Sequence, residues 1–282
     1  MFYLREKIQD MLTDLFAGGV FDDVGSVLSL NPSTGIYETV WNVAVAIYDG
    51  VCVPIGTALV LIYFLVNIIE KVTQQNFDLE YVIKSLLKLF VGLYLIQNGL
   101  SLMTTIYSLS FSFLNEVVSN SISQGELQIT AQTAFKQLTG EEWNQTASWG
   151  FIKSFNHTWD YITIFIPWLG IMVLKIVVRF VCYTRLIEFY IKTATAPIAL
   201  SDFFTEGMHS NGWKFIKGYI AIALQAGVIM LATVIFNALS AGIYTSGEGW
   251  WAFIIKYLAL GFATVGVMLK SLSLTKEIVG AN

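Results

Sequence analysis

The side chains able to do chemistry are few in this 282-residue chain and stand apart. Its two histidines, His157 and His209, sit in no ligand-spaced or triad-like pattern, and the bland reading of each is a solvated loop residue. No HExxH, CxxC, GxSxG or GxxxxGK[ST] stretch occurs. An intramembrane protease or lipid transferase needs paired carboxylates or a Ser/His pair, yet only Asp49 and Glu70 lie near the ends of apolar stretches. Cys52 and Cys182 have no metal-type neighbours and read as small buried hydrophobes. The expectation is a protein that is not an enzyme and carries no cofactor or metal. The one concentration of charge inside apolar sequence is the run Lys175, Arg179, Arg185, Glu188 and Lys192, with Lys256 alone further on.

Those charges must be held by membrane spans. Residues 50–69, 89–114 and 218–247 contain no Asp, Glu, Lys or Arg. Residues 249–269 contain only Lys256, and 161–178 only Lys175. Each approaches or exceeds the roughly 20 apolar residues needed to cross about 30 Å of hydrocarbon. Mean hydropathy is +0.64, and charged residues make up 13% against about 25% in soluble domains. The net charge of −4 argues against a freestanding nucleic-acid binder. The fold class is therefore all-α, a polytopic membrane helix bundle of about five transmembrane helices.

Orientation follows from the basic residues. Lys71, Lys84 and Lys88 flank the connection between the first two spans, Lys214 and Lys217 precede the fourth, and Lys270 and Lys276 follow the last. The consistent solution places the N-terminus outside and the C-terminus in the cytoplasm. The half assigned to the outside is acidic, which disfavours a tight DNA groove there. No cleavable signal peptide is expected, because Glu6, Asp10 and Asp14 fall where an apolar core is required. Leu4, Ile8, Met11, Leu12 and Leu15 recur at helical spacing instead, predicting an amphipathic N-terminal helix ended by Gly18-Gly19.

The chain thus divides into an outside helix and loop (1–40), two spans (41–114), an outside loop (115–160) and a three-span core (161–282) with a cytoplasmic helical extension over 180–213. Within the outside loop, Ile129, Ala134, Phe135 and Leu138 predict a short amphipathic helix ended by Gly140. Trp143 and Trp149 are its candidate contacts. Asp49-Gly50 with Pro54 predicts a site where the first span unwinds or, more plainly, a turn with Tyr48 as an anchor. In the third helix, Lys175 and Arg179 share a face and are expected to snorkel to the cytoplasmic interface. Arg185, Glu188 and Lys192 form a second group in which Glu188 can pair at i−3 and i+4. This group either faces a partner or an aqueous crevice, or is a self-paired interfacial helix. Pro197 predicts a helix break, and Ala194-Thr195-Ala196-Pro197 is small enough for close helix approach. Lys256 either snorkels outward or packs neutral, or it pairs with an acidic group on a neighbouring chain.

The stretch YTRLIEFYIKTATAPIALSDFF, residues 183–204, resembles the core of the TrbL-type polytopic inner-membrane subunits of conjugative type IV secretion systems. A basic residue and aromatics lead there into a small-residue Ala-Pro stretch, followed by a span rich in Gly and Ala, as in Lys217–Ala241. The resemblance extends over about 140–280 and reaches the N-terminal half by layout. It implies a membrane scaffold or channel component through which DNA, with protein attached, leaves the donor cell. It also implies partners: other secretion-system membrane subunits, the secretion ATPases and the coupling protein, with DNA present only in transit and a homo-oligomer as the assembly. Gly218, Ala221, Ala226 and Gly227 in one span, and Ala259, Gly261, Ala263 and Gly266 in the next, are spaced for close helix packing. The competing function is a small-solute transporter or permease subunit.

Overall fold

The structure, a computed structural model, describes residues 4–17, 37–73, 79–122, 131–140, 142, 157–202, 210–245 and 250–281. All its regular elements are helices: α1 (Leu4–Leu12), α2 (Glu38–Thr73), α3 (Leu79–Ile122), α4 (Ala131–Thr139), α5 (Thr158–Ser201), α6 (Asn211–Thr245), α7 (Trp250–Leu269) and α8 (Ser271–Val279). The protein is an all-α polytopic membrane bundle. Among the described residues α2, α5, α6 over Asn211–Ser240 and α7 over Trp251–Leu269 are long and apolar enough to cross a bilayer. Only 17% of the most apolar stretch of α2 is buried. Its exposed Leu65, Val66 and Ile69 therefore suit lipid, not water.

Four such helices stand where five spans were expected. The remaining stretch, 89–114, lies in α3, a continuous 44-residue helix diluted by Gln97, Asn98 and several hydroxyls. Several of these polar groups bond back to the helix itself. Asn98 donates to the Tyr94 carbonyl, Thr105 to Ser101, Ser110 to Ile106 and Ser112 to Ser108, at 2.8–3.0 Å. Back-bonding of this kind lets polar side chains sit on an otherwise apolar helix.

Two expectations about helix breaks are corrected. The first concerns α2, which starts at Glu38 and does not unwind at Asp49-Gly50. It passes through a π-helical turn, Tyr48–Cys52, in which the Val53 amide donates to the Tyr48 carbonyl. Pro54 has no N–H to give to the Gly50 carbonyl, and a wider turn just before it absorbs that loss. The second concerns α5, which runs through Pro197 and ends four residues later at Ser201. A proline frees one carbonyl without ending a helix when the surrounding helices hold the chain in place. At about 1.5 Å per residue its 44 residues span roughly 66 Å, more than twice a hydrocarbon core.

The chain forms two compact units, and α3, α5 and α6 contribute to both. The first comprises Met1–Leu28, Glu116–Cys182 and Val228–Ser271. Here the apolar face of α1 is covered by its own chain: Ile8, Met11 and Leu12 are buried with Ala134 and Phe135 of α4 and Ile164 of α5. Arg5 donates to the Glu142 carbonyl at 2.8 Å and lies 5.5 Å over the Phe135 ring. The predicted helix in the outside loop is α4. Gly140 ends it at φ 71°, with its amide on the Lys136 carbonyl at 2.9 Å, an αL cap that favours glycine. The expected stop at Gly18-Gly19 lies outside the described residues. In the same unit α7 closes on α5, where a Cβ on Gly261 would stand 2.8 Å from the Leu174 side chain.

The second unit comprises Ser29–Asn115, Tyr183–Gly227 and Leu272–Asn282. Its core joins Tyr48, Val60, Ile96, Met103, Phe189, Ala196, Leu200, Tyr219 and Ile222. Tyr48, buried, donates its hydroxyl to the Ile96 carbonyl at 2.8 Å. Gly99 makes room for that ring, since a Cβ there would lie 2.6 Å from the Tyr48 oxygen. Gly227 does the same for Phe113, at 2.4 Å.

Candidate functional site

The charged run of α5 separates into an inward stripe and an outward one. Arg185, 5% exposed, is on the inward stripe. Its Nε donates to the Ile222 carbonyl at 3.1 Å and one terminal nitrogen to the Ala223 carbonyl at 3.2 Å. The Tyr107 hydroxyl is a further hydrogen-bonding neighbour. A planar guanidinium with five donors can satisfy two successive carbonyls of a facing helix at once. Four residues on, Phe189 packs against Tyr107 at 4.6 Å, Tyr219 at 5.5 Å, Tyr190 at 5.7 Å and Trp41 at 6.5 Å between ring centroids. Four further on, the hydroxyl of Thr193, fully buried, donates to the Phe189 carbonyl at 2.9 Å and stands 3.0 Å from the Tyr219 hydroxyl.

Pro197 completes the stripe. A Cβ on Gly56 would lie 2.6 Å from the Pro197 carbonyl oxygen and 2.9 Å from its carbon, so α2 and α5 meet backbone to backbone. Ala194 and Ala196 are buried beside it. The small-residue stretch is thus a close-approach surface, as its composition predicted, whereas the proline at its end is a contact and not a break. Arg185, Phe189, Thr193 and Pro197, at i, i+4, i+8 and i+12, tie α5 to α2, α3 and α6 inside this unit.

The outward stripe is Glu188 and Lys192, paired at 3.6 Å with side chains 32% and 24% exposed. A partly solvated i,i+4 pair of this kind contributes at most about 1 kcal/mol. Arg185 does not stand with them as the helical spacing suggested. It lies at the border of their face and turns inward.

The other sequence-derived candidates are dispersed. Lys175, expected to reach an interface, donates to the backbone carbonyl of Asp14 at 3.1 Å, while Trp168 donates to the Asp14 carboxylate at 3.2 Å. Tyr257 adds a bond to the Leu15 carbonyl at 3.4 Å. Together these three fasten the π-helical turn Thr13–Ala17 that continues α1. Arg179 and Lys256 are exposed. Trp143 and Trp149 lie outside the described residues, as does His209. His157 is not merely solvated: at the start of α5 its Nδ1 is 2.6 Å from an Asp160 carboxylate oxygen, and its carbonyl accepts from the Tyr161 amide. The H-x-x-D spacing before an apolar run was the available signal. Among the described residues no group of three His, Cys, Asp or Glu is placed to hold a metal ion.

Of the small residues expected to pack, those of α6 do so, with Gly218, Ala221, Ala226 and Gly227 buried. In α7 only Gly261 is, while Ala259 and Ala263 face outward and Gly266 has nothing within 4 Å of its Cβ position.

No curated protein and no solved structure matches the chain. The family model described as TrbL/VirB6 plasmid conjugal transfer like protein matches residues 20–197. It takes in α2, α3, α4 and α5 up to Pro197, including the Tyr183–Pro197 part of the stretch that carried the resemblance. The N-terminal half, expected to agree by layout alone, lies within the match from residue 20 onward, and residues 1–19 and 198–282 lie outside it. With more than half of its length matched, the chain belongs to the TrbL/VirB6 plasmid conjugal transfer like family.

Proposed function

We propose that this multi-pass membrane protein is a scaffold and channel component of a type IV secretion machine, sited in the bacterial inner membrane, through which DNA with attached protein leaves the cell. The family match over residues 20–197 carries this reading. The apolar helices supply walls and a mounting surface. The work of transport comes from attached secretion ATPases, which together with a coupling protein, other membrane subunits and further copies of this chain are its partners. The N-terminus lies outside and the C-terminus in the cytoplasm.

Deletion in a conjugative donor tests this. Transfer should be lost, with the ATPase rate of the isolated motor unchanged. Purified alone in liposomes, the protein should hydrolyse no ATP and drive no solute uptake. Unimpaired transfer after deletion would remove the secretion reading. Gradient-driven uptake of an amino acid, sugar or ion would replace it with the transporter.

A further inference from the structure

The second unit gathers three half-buried lysines from three helices. Lys192 of α5 lies across α6, its Nζ 3.5 Å from the Cβ position of Gly218. Lys217, the neighbour of Gly218, reaches α8 and donates to the Gly280 carbonyl at 3.1 Å. Lys276 of α8 stands in the turn that presents the Gly280 carbonyl to Lys217, its own carbonyl accepting from the Ala281 amide at 2.8 Å, and its charge bears on Lys192.

The arrangement is built by the backbone. α8 ends in a Schellman turn: the Ala281 amide bonds to the Lys276 carbonyl at 2.8 Å and the Gly280 amide to the Glu277 carbonyl at 3.2 Å, with Gly280 at φ 65°. That turn aims the Gly280 carbonyl at Lys217. Each ammonium has three donors, and the bonds to Glu188 and Gly280 each engage one. Three like charges held together favour an anion.

The same helices carry exposed apolar side chains: Ile187 and Ile191, both 58% exposed, share a face of α5 next to the one that carries Lys192, and Leu274 and Ile278 are exposed on α8. α8 follows directly on α7, whose 20 residues at about 1.5 Å each measure roughly 30 Å, the depth of one hydrocarbon core. A helix placed there emerges at headgroup level.

We infer that Lys192, Lys217 and Lys276 bind the phosphate of an anionic phospholipid, with its acyl chains against Ile187 and Ile191. Basic pockets between spanning helices suit such headgroups, and the outward isoleucines favour a lipid over a free anion. The inference stands apart from the secretion reading, because it rests on the lysines and the bilayer alone.

Native mass spectrometry of the purified full chain tests it, with phosphatidylglycerol or phosphatidylcholine added at equal concentration. Phosphatidylglycerol should be retained preferentially. Each lysine removed should weaken retention about fivefold, so that Lys192→Gln with Lys276→Gln lowers it about twenty-fivefold. The charge-keeping pair Lys192→Arg with Lys276→Arg should retain the lipid, which separates loss of charge from loss of fold. Lys84→Gln, in an exposed pair with Glu80 on α3, should change nothing. Equal retention of the two lipids, or indifference to the double glutamine variant, would overturn the site. Displacement by millimolar inorganic phosphate would overturn the lipid in favour of a small anion. Loss of an acidic protein partner in the double variant, with lipid retention intact, would reassign the lysines to that partner.

Discussion

Arg185→Gln removes the guanidinium from two carbonyls of α6 and should loosen the second unit. The bonds measure 3.1 and 3.2 Å, and hydrogen bonds to a charged group contribute about 1.5–3 kcal/mol each. The Ile222 and Ala223 carbonyls lie inside α6, where backbone amides also reach them, so the change orphans neither carbonyl. The loss should therefore fall well below the sum of two full bonds, at about 2 kcal/mol. That corresponds to about a thirtyfold rise in the opened population. That unit carries its own reporter: Cys52 is 4% exposed, and with Cys182 replaced by serine a thiol-reactive dye reaches it only on opening. In detergent, Arg185→Gln should label about thirty times faster and melt at a lower temperature, while Lys214→Gln, at an exposed position of α6, should match the wild type. Equal labelling of Arg185→Gln and wild type would refute the inward role. The same geometry explains why a charge swap cannot identify a partner surface here. Arg185→Glu with Glu188→Arg puts an acceptor against two carbonyls, so it should fail to assemble whatever Arg185 meets outside its own unit.

Three further outcomes follow from the packing and the orientation. Gly56→Leu drives a side chain into the Pro197 backbone, which cannot rotate away, and should destabilise by about 1–3 kcal/mol in the same dye assay; Gly50→Ala, with nothing within 4 Å, should be neutral or slightly stabilising. Pro197→Ala should leave membrane insertion and DNA transfer intact, because the helix already runs to Ser201 and alanine keeps the Cβ that faces Gly56; loss of transfer would show that the ring itself is needed. Single cysteines at Ser33, Ser148 and Ser273, in a background lacking Cys52 and Cys182, should react with an impermeant maleimide from outside, outside and inside respectively; opposite labelling of Ser33 and Ser148 would mean that α3 does not cross.

Where the controlling interactions are local, the sequence carried the structure. α1 and α4 follow from apolar spacing over three turns, and the cap at Gly140 from glycine's freedom at positive φ. The spans follow from the absence of charge. What failed was reasoning that needed a neighbour. A proline in water ends a helix, but Pro197 is held by α2 through Gly56, 141 positions earlier in the chain. Helical spacing grouped Arg185 with Glu188 and Lys192, and only the carbonyls of Ile222 and Ala223 decide that it turns away from them. Lys175 carried no mark of its partner, since the Asp14 atom it meets is a backbone carbonyl, which every residue has.

In lipid no hydrophobic force draws helices together, because the surrounding chains are as apolar as the helices. Close backbone approach and interhelical hydrogen bonds must hold the bundle instead, and the second unit has both: Gly56 against Pro197, Gly99 under Tyr48, Gly227 under Phe113, Tyr48 on the Ile96 carbonyl and Arg185 on α6. This assigns the charges of α5 differently from a sequence reading. An arginine 5% exposed with its fork on backbone carbonyls holds helices together and is not offered to another subunit. The groups left to meet lipid or the rest of the machine are the outward ones, Glu188 with Lys192 and the exposed isoleucines beside them. Substitutions on that side should change what the protein binds, and substitutions on the Arg185 side whether it holds together.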